Sequence, residues 1–413
     1  MLTFRELPPT AGLPLSWRDF LPAGGRPDLE SGLARFLNVR SVQIECSGTA
    51  ALVVALEYLK QRSKRRTVIV PAYTCPLVAL AVARAGLRLK LCDLLRESQE
   101  MDANLLDRLC DSDTLAIIPT HLGGMPVNME PLVSIARDHG AFLVEDAAQS
   151  LGATWRGMPV GTIGDIGVYS LTRGKGLTIN YGGVLVAKSD EARQGLLETS
   201  KRLSASRPFL EAKLLVELLG YWLLYNPTGL SLVYGLPLRS YLRSGNLTGA
   251  AGDDLPLEVP VHKVGAARRH IGAAALARLP AVLEANRERG RSRAAALKGL
   301  PGVKVLSEPP DSSGSWPFLT VLLESSPARD QALSRLWTSG LGVTRLFVHD
   351  LTGYRYLSAI VPPSAVPNAQ DFAARMLTIS NSAWVTDRDF ARIQSVLASS
   401  SAPAAKARTS MLL

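Results

Sequence analysis

Between about residues 40 and 190, short apolar runs alternate with longer stretches in which apolar side chains recur at helical spacing. The runs at 67–71 (TVIVP), 89–93, 115–119, 142–146, 167–171 and 184–188 predict strands. The stretches at 50–60 and 77–85 are long enough for crossover helices. Continuous apolar strands separated by helices predict an α/β fold, with a mainly parallel sheet covered on both faces. Ligands of such sheets sit beyond the carboxyl ends of the strands, so polar residues just after a strand are the first candidates for chemistry.

The alternation breaks at 204–245. Residues 209–224 (FLEAKLLVELLGYWLL), the turn Asn226-Pro-Thr-Gly229 and residues 230–238 predict an apolar helical hairpin, an insertion over about 207–243. The first arm carries Glu211, Lys213 and Glu217, and it falls short of the ~20 apolar residues of a spanning helix. Lys201, Arg202 and Arg207 precede the hairpin, and Arg239 and Arg243 follow it. Two readings stand: packing in a dimer interface or over a pocket, and peripheral membrane contact through 209–238. A helix-rich stretch at 264–297 and strand candidates at 318–323 and 343–348 predict a smaller α+β C-terminal domain. The expected division is a large domain over 1–258, a small one over 259–397, and a disordered Ser/Ala-rich tail over 398–413.

Composition narrows the function classes. With 47% hydrophobic and 20% charged residues in 413, wholesale disorder is excluded. The four cysteines, Cys46, Cys75, Cys92 and Cys110, form no close metal-ligand pair, so neither a metal site nor a disulfide scaffold is expected. The first residues lack a signal-peptide layout, and a cytoplasmic location is the expectation. A formal charge of +10 favours anionic partners. No groove-reading module is present, so nucleic acid is not expected among them.

Three features after strands carry chemistry. Asp146 ends the run FLVED, where a carboxylate is placed to grip a cationic ring nitrogen. Lys175 follows another strand, and an amine in a desolvated pocket becomes a nucleophile toward an aldehyde. Ser47-Gly48-Thr49 opens a helix whose free N–H groups suit a phosphate. Each has a plainer reading: a turn residue, a solvated lysine and an ordinary N-cap. Together they describe a site for pyridoxal 5'-phosphate.

The stretches Cys46-Ser-Gly-Thr-Ala-Ala-Leu52, Val70-Pro-Ala-Tyr-Thr74, Pro119-Thr-His121-Leu-Gly-Gly124, Glu145-Asp146-Ala-Ala-Gln149-Ser-Leu-Gly-Ala153 and Gly164-Asp-Ile-Gly-Val-Tyr-Ser170 resemble the DegT/DnrJ/EryC1/StrS family. The likeness is dense over 40–190 and looser to about 397. It implies a fold-type I, PLP-dependent homodimer that moves an amino group from an amino acid, glutamate or glutamine, to a keto or aldehyde acceptor, most often a nucleotide-linked keto sugar. By the same resemblance Lys175 bonds the cofactor aldehyde and shuttles a proton. Asp146 pairs with the ring nitrogen, Gln149 contacts the phenolic oxygen, and Gly48, Thr49 and Ser170 hold the phosphate. Some relatives replace the lysine by histidine and dehydrate; this chain keeps the lysine, which favours amino transfer.

The chain also departs from the family's pattern. Cys75 stands where an aromatic residue stacks on the cofactor ring, with Tyr73 two positions earlier. Tyr181 replaces the acidic residue before Gly182-Gly183, and Val261-His262-Lys263 is the nearest match to a stretch that reaches the partner subunit's site. His121 and Arg345 join Tyr73 as substrate-contact candidates, each with a structural alternative. Three further readings stay open: a lipid-linked or amphiphilic acceptor at the membrane surface, a dehydratase- or decarboxylase-like activity, and a non-catalytic PLP-binding regulator.

Overall fold

The structure, a computed structural model, describes residues 5–21 and 28–401. In its first half the strands are β1 (Gln43–Glu45), β2 (Thr67–Pro71), β3 (Arg88–Cys92), β4 (Thr114–Ile117), β5 (Phe142–Asp146), the short pair β6 (Thr154–Trp155) and β7 (Met158–Pro159), β8 (Ile166–Ser170) and β9 (Gly183–Ala187). Seven of them form one sheet in the order β1-β9-β8-β5-β4-β2-β3. From β3 to β8 every pairing is parallel, and β9 alone runs against its neighbours β8 and β1. Every residue of β2, β4, β8 and β9 is buried, which is why these strands read as unbroken apolar runs.

Helices cover the sheet: α1 (Leu29–Phe36), α2 (Gly48–Arg62), α3 (Pro76–Arg84), α4 (Ala103–Leu109), α5 (Met129–Asp138), α6 (Asp190–Leu203) and α7 (Pro208–Leu224). Side-chain oxygens of Ser47, Asp102, Asn128 and Ser189 cap α2, α4, α5 and α6 by accepting first-turn N–H groups. The segment expected as an apolar hairpin is helical, as α7 followed by helical turns over Pro227–Leu230, Ser231–Gly235 and Leu236–Arg243. Asn226 makes the break: its side chain accepts from Gly229 N–H at 2.9 Å, and Pro227 starts the next turn.

The second half carries β10 (Val303–Val305), β11 (Ser312–Ser313), β12 (Phe318–Leu323), β13 (Val343–Thr344) and β14 (Met376–Ser380). An antiparallel sheet, β10-β12-β14-β13, forms the smaller layer, and β11 pairs with β6 of the first half. The helix Ala266–Leu276 packs its Ile271, Ala275 and Leu276 into the core of the large sheet, whereas Ala294 and Leu297 of the helix Leu279–Leu297 join the core of the small one. Leu279 and Leu283 of this second helix lie in the large-sheet core, so it bridges the two layers, beyond the loop at 255–262 where the sequence places a boundary. The N-terminal segment also crosses over: Leu7 N–H donates to Gly340 O at 2.9 Å, and Glu6 pairs with Arg239 at 2.7 Å.

Two sequence expectations are revised. Of the strand expected at 343–348 only Val343–Thr344 pairs in a sheet, because Phe347 N–H donates to Tyr73 Oη at 3.1 Å and Val348 N–H to Asp253 Oδ2 at 2.7 Å. The last helix, Asp387–Ser400, continues through the expected start of the tail at 398; residues 402–413 lie outside the described residues.

Candidate active site

The carboxyl ends of the parallel strands open into a cavity of about 660 Å³, a size that suits a cofactor together with part of a substrate. Asp146 enters it from the end of β5, Ser170 from the end of β8, and Lys175 from the loop between β8 and β9. Gly48 and Thr49 enter it at the start of α2, and Gln149 from the turn after β5. The six residues assigned to the cofactor by resemblance are thus brought together. They come from three chain segments, 48–49, 146–149 and 170–175, assembled by the crossover topology.

Local bonding leaves the first N–H groups of α2 and one end of Gln149 free, while the Ser170 O–H is engaged by Thr172. Ser47 caps α2 by accepting from Ala50 N–H at 2.9 Å, and Ala51 N–H reaches Ser47 O at 2.9 Å. The N–H groups of Gly48 and Thr49 precede the first intrahelical bond and face the positive end of the helix dipole. Glycine is required nearby: a Cβ on Gly183 would lie 2.2 Å from Ser47 O, and one on Gly48 would lie 3.2 Å from Ser170 Cβ. The Ser170 hydroxyl is steered by Thr172, donating to its Oγ1 at 3.0 Å. Gln149 Oε1 accepts from Gly123 N–H at 2.7 Å, so its amide N–H groups are the free end.

Asp146 and Lys175 are oppositely tuned. Burial pushes the Asp146 carboxyl above its ordinary pKa, opposed by the Ala148 N–H bond (3.0 Å) and by the charge of Lys175. Burial pulls the Lys175 amine below the usual lysine value, opposed by Cys75 and Asp146. A buried carboxylate at that position is stabilised by a cationic ring nitrogen, and an amine with a lowered pKa is a nucleophile. With a phosphate-sized set of free donors at α2, these residues fit pyridoxal phosphate. Cys75 also lines the cavity, at the N-cap of α3, and burial pushes its thiol up to about 12.

Three substrate-contact candidates do not face the cavity. Tyr73 is buried, and its hydroxyl donates to Phe347 O at 3.1 Å. His121 is fully buried between Glu145 and Val127. Arg345 is buried and donates to Val348 O, and to Ala373 O at 3.2 Å. All three brace the loops behind the site. His262 does reach the cavity of its own chain, with Nδ1 3.3 Å from Glu211 Oε1.

The sequence reading did not single out Arg173, Thr120 and Thr172, which also line the cavity. Their one available signal was position, just after a strand or within two residues of Lys175. The mouth of the cavity is built by α7, whose Leu210, Lys213, Leu214 and Glu217 share one helical face.

The family model of the DegT/DnrJ/EryC1/StrS aminotransferase family matches residues 25–207 and 263–398, leaving out the segment that contains α7. Among curated relatives, a GDP-perosamine synthase of Caulobacter vibrioides is 32% identical over 164 residues, 40% of this chain and 44% of that protein. A UDP-N-acetyl-3-dehydro-alpha-D-glucosamine 3-aminotransferase of Acidithiobacillus ferrooxidans is 35% identical over 144 residues, 35% of this chain and 39% of that protein. The chain thus spans less than half the length of these curated relatives. Among solved structures, PseC of Helicobacter pylori, an aminotransferase of pseudoaminic acid biosynthesis, superimposes with a TM-score of 0.74 at 15% identity, covering 96% of this chain and 99% of that one. At that identity the likeness is one of fold.

Proposed function

Because the chain belongs to the DegT/DnrJ/EryC1/StrS aminotransferase family, we propose that it transfers an amino group from an amino acid donor, glutamate or glutamine, to a nucleotide-linked keto sugar. One observation carries the reading: Lys175, Asp146 and the open N-terminus of α2 converge on one cavity at the carboxyl edge of the sheet. The relatives named for perosamine and aminoglucosamine synthesis support a sugar acceptor.

When bound, pyridoxal phosphate supplies an aldehyde to carry the nitrogen and a ring that withdraws electrons from the reacting carbon. The chain's own residues do the rest. Gly48 and Thr49 N–H groups would bind the phosphate, joined by the Ser170 hydroxyl once it turns from Thr172 Oγ1, with the helix dipole adding to the attraction. Asp146 holds a proton on the ring nitrogen, and Gln149 orients the ring through its amide N–H groups. Lys175 Nζ, whose burial favours the neutral amine, would take the proton from the donor's α carbon and return it elsewhere on the reacting system. The flanking apolar wall of Leu122, Val168 and Leu214 excludes water from these transfers.

The test is a pair of half-reactions. Glutamate or glutamine added to the reconstituted enzyme is expected to bleach the visible absorption of the cofactor, and a nucleotide-linked keto sugar to restore it. Absorption that persists with every amino acid would favour the non-catalytic reading. The proposal includes a cytoplasmic homodimer, checked by sedimentation.

The outer face of α7 favours a second reading. Phe209 is 91% exposed, Val216 67% and Leu223 64%, with Leu219 between them at helical spacing. Among the described residues no helix is long and apolar enough to cross a membrane. An apolar face beside the cavity mouth, with Arg207 and Lys213 adjoining it, suits an amphiphilic acceptor met at a membrane surface. Co-flotation with anionic liposomes supports this reading, and protein left wholly in the soluble fraction rejects it.

A further inference from the structure

Resting on the transaminase reading, we propose that Arg173 and Lys213 form an oxyanion-binding subsite at the cavity mouth, separate from the α2 cradle, that holds the anionic group of an incoming substrate. Arg173 stands two residues before Lys175, and Lys213 faces the same cavity from α7. Their origins differ, since α7 falls in the segment that the family model leaves unmatched. The subsite is therefore an addition built on the shared site.

Arg173 is held ready. Its guanidinium lies 5.3 Å above the Tyr181 ring and donates from one Nη to the Tyr181 hydroxyl at 3.0 Å. Tyr181 is itself anchored, because its carbonyl accepts from the fully buried Arg268. Among the described residues no carboxylate lies within ion-pair distance of Arg173, so its other Nη and its Nε remain to be spent. Lys213 has one acidic neighbour, Glu217, at 3.9 Å, and that carboxylate already accepts from Asn180 Nδ2 at 3.1 Å. A guanidinium fixed in advance loses little freedom when it grips a planar or tetrahedral oxyanion, and a lysine lining the same cavity adds charge without demanding geometry.

Two substrates of the proposed reaction carry such a group: the amino donor, through its α-carboxylate and, in glutamate, its side chain, and the nucleotide-linked acceptor, through its diphosphate. Their shared chemistry is an oxyanion, and calorimetry with two probes separates them. The cofactor-loaded wild type, R173Q, R173K and K213Q are titrated with inorganic pyrophosphate and with glutarate, loading being checked by visible absorption.

Loss of a charge-assisted bond is expected to weaken binding about tenfold or more in R173Q, with part of the affinity kept in R173K. Weakening confined to pyrophosphate assigns the subsite to the acceptor's phosphates, and weakening confined to glutarate assigns it to the donor. Weakening of both assigns it to the two half-reactions in turn. Equal affinities in wild type and R173Q, or no binding of either probe by the wild type, overturns the subsite. The bleaching of the cofactor by glutamate is read separately, so a failed subsite is distinguishable from a failed transaminase.

Discussion

His121 Nε2 lies 3.0 Å from Glu145 Oε2, and neither side chain is exposed. His121 Nδ1 accepts the Val127 N–H at 3.2 Å, which puts the ring proton on Nε2 and makes it the donor to Glu145. Glu145 also collects the N–H groups of Gly161 (2.7 Å), Ile163 (2.6 Å) and Gly164 (2.6 Å). The pair ties the strand end that carries Asp146 to the turn leading into β8. His121→Ala loses two buried hydrogen bonds and opens a cavity, with an expected cost of about 2–4 kcal/mol. Urea unfolding of the two proteins measures it. Unchanged stability together with weaker substrate binding would restore the substrate-contact role that the sequence suggests.

Asp146 gives a pH dependence of known sign. Burial raises its folded pKa above that of the unfolded chain. Between the two values the folded cofactor-free protein keeps a proton that the unfolded chain has released. Its stability therefore falls as pH rises through that window, by at most about 1.4 kcal/mol per pH unit. Asp146→Asn removes this contribution. The stability of wild type minus that of Asp146→Asn, from urea unfolding of the cofactor-free forms, should decline with rising pH above the usual carboxylate range. A difference that stays level across the range would contradict the buried, unpaired carboxylate.

Cys75 shares the cavity with Lys175 but should behave as an inert thiol. Its pKa of about 12 leaves little thiolate at pH 8. Alkylation by iodoacetamide is expected to run roughly a thousandfold slower than for a free cysteine. Peptide mapping of the native protein after timed alkylation reads the rate. Rapid labelling at Cys75 would show that the site is far more polar than its burial implies.

The sequence announced some parts of this molecule clearly. The strands Thr67–Pro71, Phe142–Asp146 and Phe318–Leu323 begin and end where the apolar runs do, because each is buried at every residue but the half-buried Phe142 and is bounded by polar or Pro-containing segments. Lys175, Asp146 and Gly48 were legible because their position after a strand or before a helix has a fixed meaning in a parallel sheet. Tyr73, His121 and Arg345 show the limit of that rule. They occupy similar positions, yet the Tyr73 hydroxyl, the His121 ring and one Arg345 Nη bond to Phe347, Glu145 and Val348, partners distant in sequence or hidden in a loop turn. Arg173 was passed over for the opposite reason. Nothing in the order of residues says that Tyr181, eight positions on, folds back beneath its guanidinium. The role of α7 as a wall of the cavity likewise depends on how the helix docks, which its apolar composition does not specify.

The proposed amino transfer requires Lys175 to bond the cofactor. Borohydride reduction of the cofactor-loaded enzyme, followed by proteolysis and mass spectrometry, locates that bond directly. The expected result is a pyridoxyl group on the peptide containing Lys175, and its absence from Lys175→Ala. A pyridoxyl group on another lysine, or on none, would contradict the site and the amino transfer built on it.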